Sequence, residues 1–117
     1  MITTLVADLE ERNLLDDVLV VAMGEFGRTP HMGTQDSMDG RNHWPQVMPM
    51  RLAGGGFRHG QIIGSTDKDG GHIKTRPVIP GDLAATIYHH MEVSLNATQN
   101  DAQGRSWGNG QPLSELI

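Results

Sequence analysis

The spacing of apolar residues at the start of the chain is helical. Apolar side chains recur at i, i+3, i+4 and i+7, and mainly polar or charged residues lie between them. This pattern predicts a helix over residues 2–14, ended by Asn13 because asparagine tolerates the left-handed conformation found at helix ends. The apolar positions of this helix are Ile2, Leu5, Val6 and Leu9.

The next apolar segment, residues 18–23, is continuous and rich in β-branched side chains. A run of this kind is typical of a strand that is buried on both faces, as in a parallel sheet. Because a helix that leads into such a strand is half of a β-α-β unit, the expected fold class is α/β.

Beyond this strand the apolar segments are shorter. Residues 24–46 have no period, which predicts a long loop of the kind that often carries function. Residues 94–112 are polar and are expected to cover the surface. We also expect strands over 47–53 and 72–79, a turn and a strand over 57–64, a helix over 81–93, and a strand or turn over 113–117.

The expected second helix is amphipathic. Asp82 falls in its first turn, where a negative charge interacts favourably with the helix dipole. The glycines at residues 54–56 predict a point of close packing, because no lysine and hydroxyl residue follow them as in a phosphate-binding loop. The helical stripe expected to be buried is Leu83, Ala84, Ile87 and Met91.

Composition and charge narrow the classes of protein. The chain has 117 residues, enough for one modest domain, with fifteen glycines and six prolines that indicate many turns. Its net charge of −5 disfavours nonspecific nucleic-acid binding, which needs a basic surface. There is no cysteine, so these residues hold no thiolate metal site. We expect no membrane span and see no signal peptide, and the sequence indicates no compartment.

Glu25 is the first candidate for chemistry. It directly follows the predicted strand, and Gly24 and Gly27 give its backbone room to turn. Because ligands gather at the carboxyl ends of parallel strands, this carboxylate suits a divalent metal ion or a general base. The alternative is a structural carboxylate that accepts backbone N–H bonds within the loop.

Two arginines follow in the same segment. Arg28 and Arg41 can each hold an oxyanion through two parallel N–H donors. Together with Glu25 they suggest a site for a sulfate or phosphate ester. The alternative is structural ion pairing with Glu25, Asp36 or Asp39.

His43 is the histidine with the most suggestive neighbours. An imidazole suits a metal ligand or a general acid. The alternative is a packed, hydrogen-bonded histidine beside Trp44. The other histidines are expected to lie on the surface: His31, His59, His72, His89 and His90.

Five motifs in order resemble a known bacterial family. The most specific are Gly-Glu-Phe-Gly-Arg-Thr-Pro over 24–30 and Gly-Arg-Asn-His-Trp-Pro over 40–45. The chain resembles the C-terminal part of the bacterial domain-of-unknown-function 1501 family, whose members are often labelled sulfatase-like and belong to the alkaline phosphatase superfamily. The other motifs are Leu-Ala-Gly-Gly-Gly (52–56), Ile-Gly-Ser-Thr-Asp (63–67), and Arg-Pro-Val followed by Pro-Gly-Asp-Leu-Ala-Ala-Thr-Ile (76–87).

The resemblance implies the C-terminal portion of an alkaline-phosphatase-like doubly wound sheet with a small antiparallel addition. Residues 1–117 would form one α/β domain that is a fragment of a larger sulfatase-like domain. The implied reaction is metal-assisted hydrolysis of a small anionic ester or a sulfated glycan, with zinc, calcium or manganese. Glu25 and His43 would bind the metal, Arg28 and Arg41 the anion, and Arg28 and His43 would be catalytic.

Phe26 and Asn42 are among the positions that depart from the pattern of this group. Sulfatases have Ser-Asp-His-Gly where this chain has Gly24-Glu25-Phe26-Gly27, so Phe26 replaces a metal ligand. Asn42 stands where the family usually has aspartate. The nucleophile lies upstream in longer members, so this chain alone is expected to be inactive.

Two other functions stay open, the first favoured by Phe26 and the second expected if upstream strands are missing. One is a non-catalytic module that binds an anion or a partner on a degraded alkaline-phosphatase-like scaffold. The other is a structural fragment whose exposed sheet edges drive homo-oligomer formation.

Overall fold

The computed structural model describes residues 1–34, 36, 38–94 and 110–117. Most of the segment expected to cover the surface, residues 94–112, lies outside them. The described residues form two helices and six short strands. The elements are α1 (Ile2–Glu11), β1 (Leu19–Met23), β2 (Gly27–Arg28), β3 (His43–Trp44), β4 (Met50–Gly54), β5 (Ser65–Thr66), β6 (Ile73–Thr75) and α2 (Pro80–His90).

The strands form three two-stranded sheets within the described ranges. β1 is hydrogen-bonded to β4, β2 to β3, and β5 to β6. The β2–β3 and β5–β6 pairs are antiparallel. The expected mixture of helices and strands is therefore confirmed. Neither α1 nor α2 has the length and apolar character that a membrane-crossing helix needs.

The chain divides into two compact units. The first comprises Met1–Val20, Ala53–Gln61 and Val78–Ile117, and the second comprises Val21–Leu52 and Ile62–Pro77. Among the described residues, the buried apolar side chains all belong to the first unit. The buried apolar residues are Phe57, Leu83, Ala85, Leu113 and Leu116.

The first helix and strand form close to where the apolar pattern places them. Asn13 has φ 54°, which confirms that it ends the helical segment. α1 buries no residue, and Ile2 and Leu5 are 41% and 47% exposed. The prediction that the first strand is buried on both faces is wrong for the described residues. Because β4 is its single partner there, β1 is half-buried, and its last residue, Met23, is exposed.

Two shorter segments differ from the expectation. Residues 24–46 contain the paired strands β2 and β3 instead of an uninterrupted loop. No strand forms over residues 57–64, because Gly60 and Gly64 adopt φ values of 78° and 77° that break an extended backbone. The strand starts at Ser65 instead and pairs with β6, which lies within the strand expected over 72–79.

The glycines that end β4 make the tight packing point expected of them. Residues 54–56 have φ values of 80°, 68° and 66°. A Cβ atom on Gly54 would collide with the carbonyl oxygens of Leu15 and Val18. This turn therefore requires glycine both for its backbone conformation and for space.

α2 begins as expected and ends earlier than expected. Asp82 lies in its first turn, where its Oδ2 accepts the Ile79 N–H at 3.2 Å. Glu92 has φ 56°, which stops the helix before residue 93. Met91 was expected in the buried stripe, but it lies after the helix and is 62% exposed. The helix buries Leu83, Ala85 and Thr86, Ala84 and Ile87 are half-buried, and residues 114–116 form a turn.

Thr86 links α2 to the C-terminal segment. Its side chain is fully buried, and its hydroxyl donates to the Asp82 carbonyl at 2.7 Å and accepts the Leu113 N–H at 3.0 Å. We expect Thr86→Val to destabilise the protein by about 1–3 kcal/mol, because it leaves the buried Leu113 N–H without a partner. Urea unfolding measures this cost. The control is Thr4→Val on exposed α1, and equal midpoints for the two variants would contradict the prediction.

Candidate functional site

The β2–β3 ladder determines which candidate side chains share a face. Its register pairs Gly27 with Trp44 and Arg28 with His43. Directly opposed residues of an antiparallel pair project to the same face, and successive residues project to opposite faces. Arg28 and His43 therefore lie on one face of the ladder, and Trp44 lies on the other.

Thr29 closes the ladder. It is 2% exposed, and its N–H donates to the Asn42 carbonyl at 2.9 Å. Its hydroxyl accepts the Asn42 N–H at 3.1 Å and donates to the His31 carbonyl at 3.1 Å. The hydroxyl therefore takes the place of a backbone carbonyl in this rung. Pro30 follows, and its missing N–H prevents a further rung of that kind.

Both arginines are exposed, and the Arg28 side chain reaches the backbone of Arg41. One guanidinium nitrogen of Arg28 donates to the carbonyl of Arg41 at 3.3 Å. Within the described parts of the chain, neither arginine forms an ion pair, so the expected alternative of pairing with Glu25, Asp36 or Asp39 is not found there. Most N–H donors of both guanidinium groups are therefore available to an anion.

His43 is exposed, and its ring contacts an aromatic residue other than the one that the sequence suggested. Its ring lies 4.0 Å from the Phe26 ring, centroid to centroid, at an interplanar angle of 40°. Trp44 is on the opposite face of the ladder and does not cover it. Phe26, which replaces an expected metal ligand, thus supports the exposed imidazole of His43.

The residues of this face do not make a metal centre by themselves. Glu25 is exposed, and its carboxylate has no hydrogen bond or ion pair to any described residue. No group of three His, Cys, Asp or Glu residues in the described ranges could hold a metal ion. Hydrolytic zinc sites usually have three protein ligands. Glu25 and His43 supply two at most.

The opposite face of the ladder contacts the turn between β5 and β6. The indole Nε1 of Trp44 donates to the Gly71 carbonyl at 2.6 Å, and its ring meets the His72 ring edge-on at 6.0 Å. Asp67 holds this turn, because its Oδ1 accepts the Gly71 N–H at 2.8 Å. A Cβ atom on Gly71 would lie 2.8 Å from Pro30 Cγ, so this contact requires glycine.

The Asp67 carboxylate is stabilised in its charged form. The Gly71 N–H is the largest cause that lowers the pKa of Asp67 below its ordinary value of 3.8, and hydrogen bonds from His72 add to it. The His72 Nδ1 lies 3.3 Å from Asp67 Oδ2. Since the folded pKa is depressed, this stabilisation is present above about pH 4 and is lost as the pH falls through the folded pKa.

We expect Asp67→Asn to remove an acid-dependent change at Trp44. In the wild type, protonation of Asp67 weakens the turn that accepts the Trp44 indole N–H, so this NMR signal should move as the pH falls below about 4. Asparagine keeps an acceptor for Gly71 without a titrating charge. The chain has two tryptophans, so the Trp107→Phe variant identifies which indole N–H signal belongs to Trp44. Asp39→Asn is the control for the loss of one negative charge. An unchanged titration in Asp67→Asn would contradict the assignment.

A cavity of about 290 Å³ lies between the turn and the Trp44 face, within the second unit. We call it the Trp44 cavity. Its polar and aromatic walls are Thr29, His31, Trp44, Asp67, Asp69 and His72, and Pro30, Thr34 and Gly71 complete it.

This cavity was not evident from the sequence. His31, His59, His72 and His89 are exposed as expected, but His31 and His72 also line the cavity. The expectation is wrong for His90, which is half-buried and packs edge-on against Phe57 at 5.9 Å. The turn at residues 67–71 is recognisable by composition. Its contact with Trp44 joins residues 27 positions apart, and no local spacing reveals it.

The described residues thus combine two helices and small two-stranded sheets with the exposed side chains of Arg28, Arg41 and His43 and with a separate polar cavity. One family model matches residues 1–117, and its description is "Protein of unknown function (DUF1501)". The chain therefore belongs to the DUF1501 family, as its motifs indicated. No curated protein matches the chain. No solved structure matches it either.

Proposed function

We propose that the chain binds the oxyanion group of a sulfate or phosphate ester on its cationic face, defined as the side chains of Arg28, Arg41 and His43. The observation that carries this proposal is the cross-strand pair of Arg28 and His43, with both arginines free of ion pairs to described residues. Arginine matches the geometry of a tetrahedral oxyanion through parallel N–H donors. This is the non-catalytic, anion-binding alternative drawn from the sequence.

The ladder arranges this face before any ligand arrives. Arg28 uses one N–H to hold the Arg41 carbonyl, which limits the positions its guanidinium can take. His43 rests on Phe26, so its ring is also restrained. Preorganised donors lose less conformational entropy on binding. A local positive site is compatible with the overall charge of −5 because nearby charges dominate at short range.

We expect Arg28→Ala to weaken binding of inorganic sulfate and phosphate. Loss of a charge-assisted hydrogen bond worth about 1.5–3 kcal/mol corresponds to a tenfold or greater rise in Kd. Isothermal titration calorimetry of both anions at low ionic strength measures it. Arg51→Ala is the matched control, because Arg51 is an exposed arginine of β4 in the same unit and its loss changes the net charge equally.

Two outcomes would contradict anion binding at this face. One is equal affinity for sulfate in Arg28→Ala and the wild type. The other is an equal loss of sulfate affinity in Arg51→Ala, which would show that net charge, and not the position of Arg28, causes the effect.

Hydrolysis of the bound ester is the second proposal, and it follows the sulfatase-like resemblance. It is favoured by the exposed carboxylate of Glu25, three residues before Arg28, which has no partner among the described residues. The ligand count above means that a metal centre here needs a donor beyond Glu25 and His43. Titration with zinc and manganese on the wild type, Glu25→Ala and His43→Ala tests it. Tight binding lost in both variants would support a hydrolase, and no binding would oppose it.

We also keep the broader architecture as a proposal. The order of the motifs, with β1 leading directly into residues 24–30, supports an alkaline-phosphatase-like doubly wound sheet of which this chain would be the C-terminal portion. A homo-oligomer belongs to the same proposal, because two-stranded sheets leave edges that can pair. Light scattering of the purified chain tests the oligomeric part directly.

A further inference from the structure

We propose that the Trp44 cavity binds a neutral sugar residue. This site lies on the face of the ladder opposite to Arg28 and His43, and no side chain of the cationic face lines it. Its existence does not depend on anion binding. If both sites bind one natural ligand, that ligand is a glycan bearing an anionic ester. This extension, unlike the sugar site itself, also rests on the proposed function.

The size of the cavity suits one ring. Small-molecule sites occupy about 300–1,000 Å³, and the volume here, about 290 Å³, is at the lower limit. An entire oligosaccharide would exceed it. The ligand is therefore a single residue or the end of a longer chain.

The charge of the two carboxylates in the walls disfavours an anionic group. Two carboxylates, Asp67 and Asp69, line the cavity, and no lysine or arginine does. Asp67 stays ionised because the Gly71 N–H lowers its pKa. A sulfate or phosphate placed here would be repelled, which leaves neutral and cationic ligands.

The remaining polar groups suit hydroxyls. Asp69 and His31 are lining residues whose side chains form no hydrogen bond with described residues, so their polar atoms have unused capacity for a ligand. In neutral His72 the Nδ1 donates to Asp67, which fixes the tautomer and leaves Nε2 as an acceptor. A sugar carries several hydroxyls that both donate and accept, and it can use these groups together.

The apolar walls complete the match. Trp44 and Pro30 are among the lining residues, and rings of these types have flat apolar surfaces on which the C–H face of a sugar ring can pack. An ammonium ligand is the competing possibility. It gains mainly from Asp69, because Asp67 is already hydrogen-bonded by Gly71 and His72. A neutral sugar interacts with more of the lining residues than an ammonium group does, both polar and apolar, and we therefore favour it.

The test uses the full chain and the methyl glycosides of glucose, galactose and mannose, titrated by protein-observed NMR. We expect at least one to bind with a Kd of about 1–10 mM, as suits a single ring with few contacts. Asp69→Ala and His31→Ala should each raise that Kd about tenfold or more, since each removes a hydrogen-bonding group. Both side chains are exposed and make no hydrogen bond within the described residues, so the fold should be preserved.

Matched controls are Asp39→Ala and His59→Ala, which are exposed and do not line the cavity. They should leave glycoside binding unchanged. Absence of binding by all three glycosides up to about 50 mM would overturn the proposal, because even a site with a Kd of about 10 mM would be roughly four-fifths occupied there. Binding of glucosamine without binding of any neutral glycoside would also overturn it, in favour of a cation site.

The same variants separate this inference from the function of the cationic face. Asp69→Ala should leave sulfate binding intact, and Arg28→Ala should leave glycoside binding intact. If the wild-type protein binds a glycoside but no sulfate, only the anion site is refuted. If it binds sulfate but no glycoside, only the sugar site is refuted.

Discussion

Replacing Gly27 by alanine is expected to destabilise the β2–β3 ladder by about 3 kcal/mol, the upper part of the range for overpacking. A Cβ atom at this position would collide with the Val47 carbonyl oxygen and would lie 3.2 Å from the Trp44 carbonyl oxygen. Both obstacles are backbone atoms, so no side-chain rotation relieves them. Arg28 and Trp44 are both residues of this ladder. The change should therefore disturb both the cationic face and the Trp44 cavity.

Hydrogen exchange at the Thr29 N–H measures this effect locally, because that amide donates to Asn42 across the ladder. Protection should fall by about a hundredfold, which is what 3 kcal/mol means for an opening equilibrium. Gly24→Ala is the control: its Cβ would lie 3.5 Å from the nearest atom, an ordinary contact. Equal protection in Gly27→Ala and Gly24→Ala would show that the ladder does not have this geometry.

The second large effect is expected in the first unit. Leu83 in α2 is 7% exposed and is one of five buried apolar residues among those described. Leu83→Ala should cost about 3 kcal/mol, because truncation of a buried leucine typically costs about 2–5 kcal/mol. In a small core each side chain is a large share of the stabilising surface. Urea unfolding followed by circular dichroism gives the change in midpoint.

Leu5→Ala is the matched control for this change. Leu5 is also helical but is 47% exposed in α1, so its truncation should change stability much less. If both variants shift the urea midpoint equally, α2 does not carry the core. If Leu5→Ala has the larger effect, the apolar face of α1 is covered in solution.

The sequence predicts well the elements whose cause is local. The helical spacing from Ile2 to Leu9 gives α1, and the apolar run at 18–23 gives β1, because each pattern is satisfied within a few residues. Asn13 ends the first helix through its own backbone preference. The burial of β1 depends on its pairing with distant β4, which a single-sequence pattern does not contain. The early end of α2 follows from the positive φ of Glu92, a conformation that is uncommon for glutamate and that the apolar spacing does not predict.

The candidate site divides in the same way. Arg28, Arg41 and His43 were recognisable as residue types that suit an anion, and β2–β3 pairing brings Arg28 opposite His43. That pairing itself was missed, since two-residue strands have too few positions to show a period. The Trp44 cavity was also missed. It forms where the Trp44 indole N–H donates to the Gly71 carbonyl. These residues are 27 positions apart, so their contact becomes visible only in the folded chain.

The central claim is that an oxyanion binds between Arg28 and His43. NMR titration of the 15N-labelled protein with inorganic sulfate tests it most directly, because it locates the site as well as detecting it. The account predicts saturable shifts concentrated at the Arg28, Arg41 and His43 signals, with the Arg51 side-chain signal unchanged. Shifts spread evenly over the exposed arginines, or centred on another segment, would contradict it.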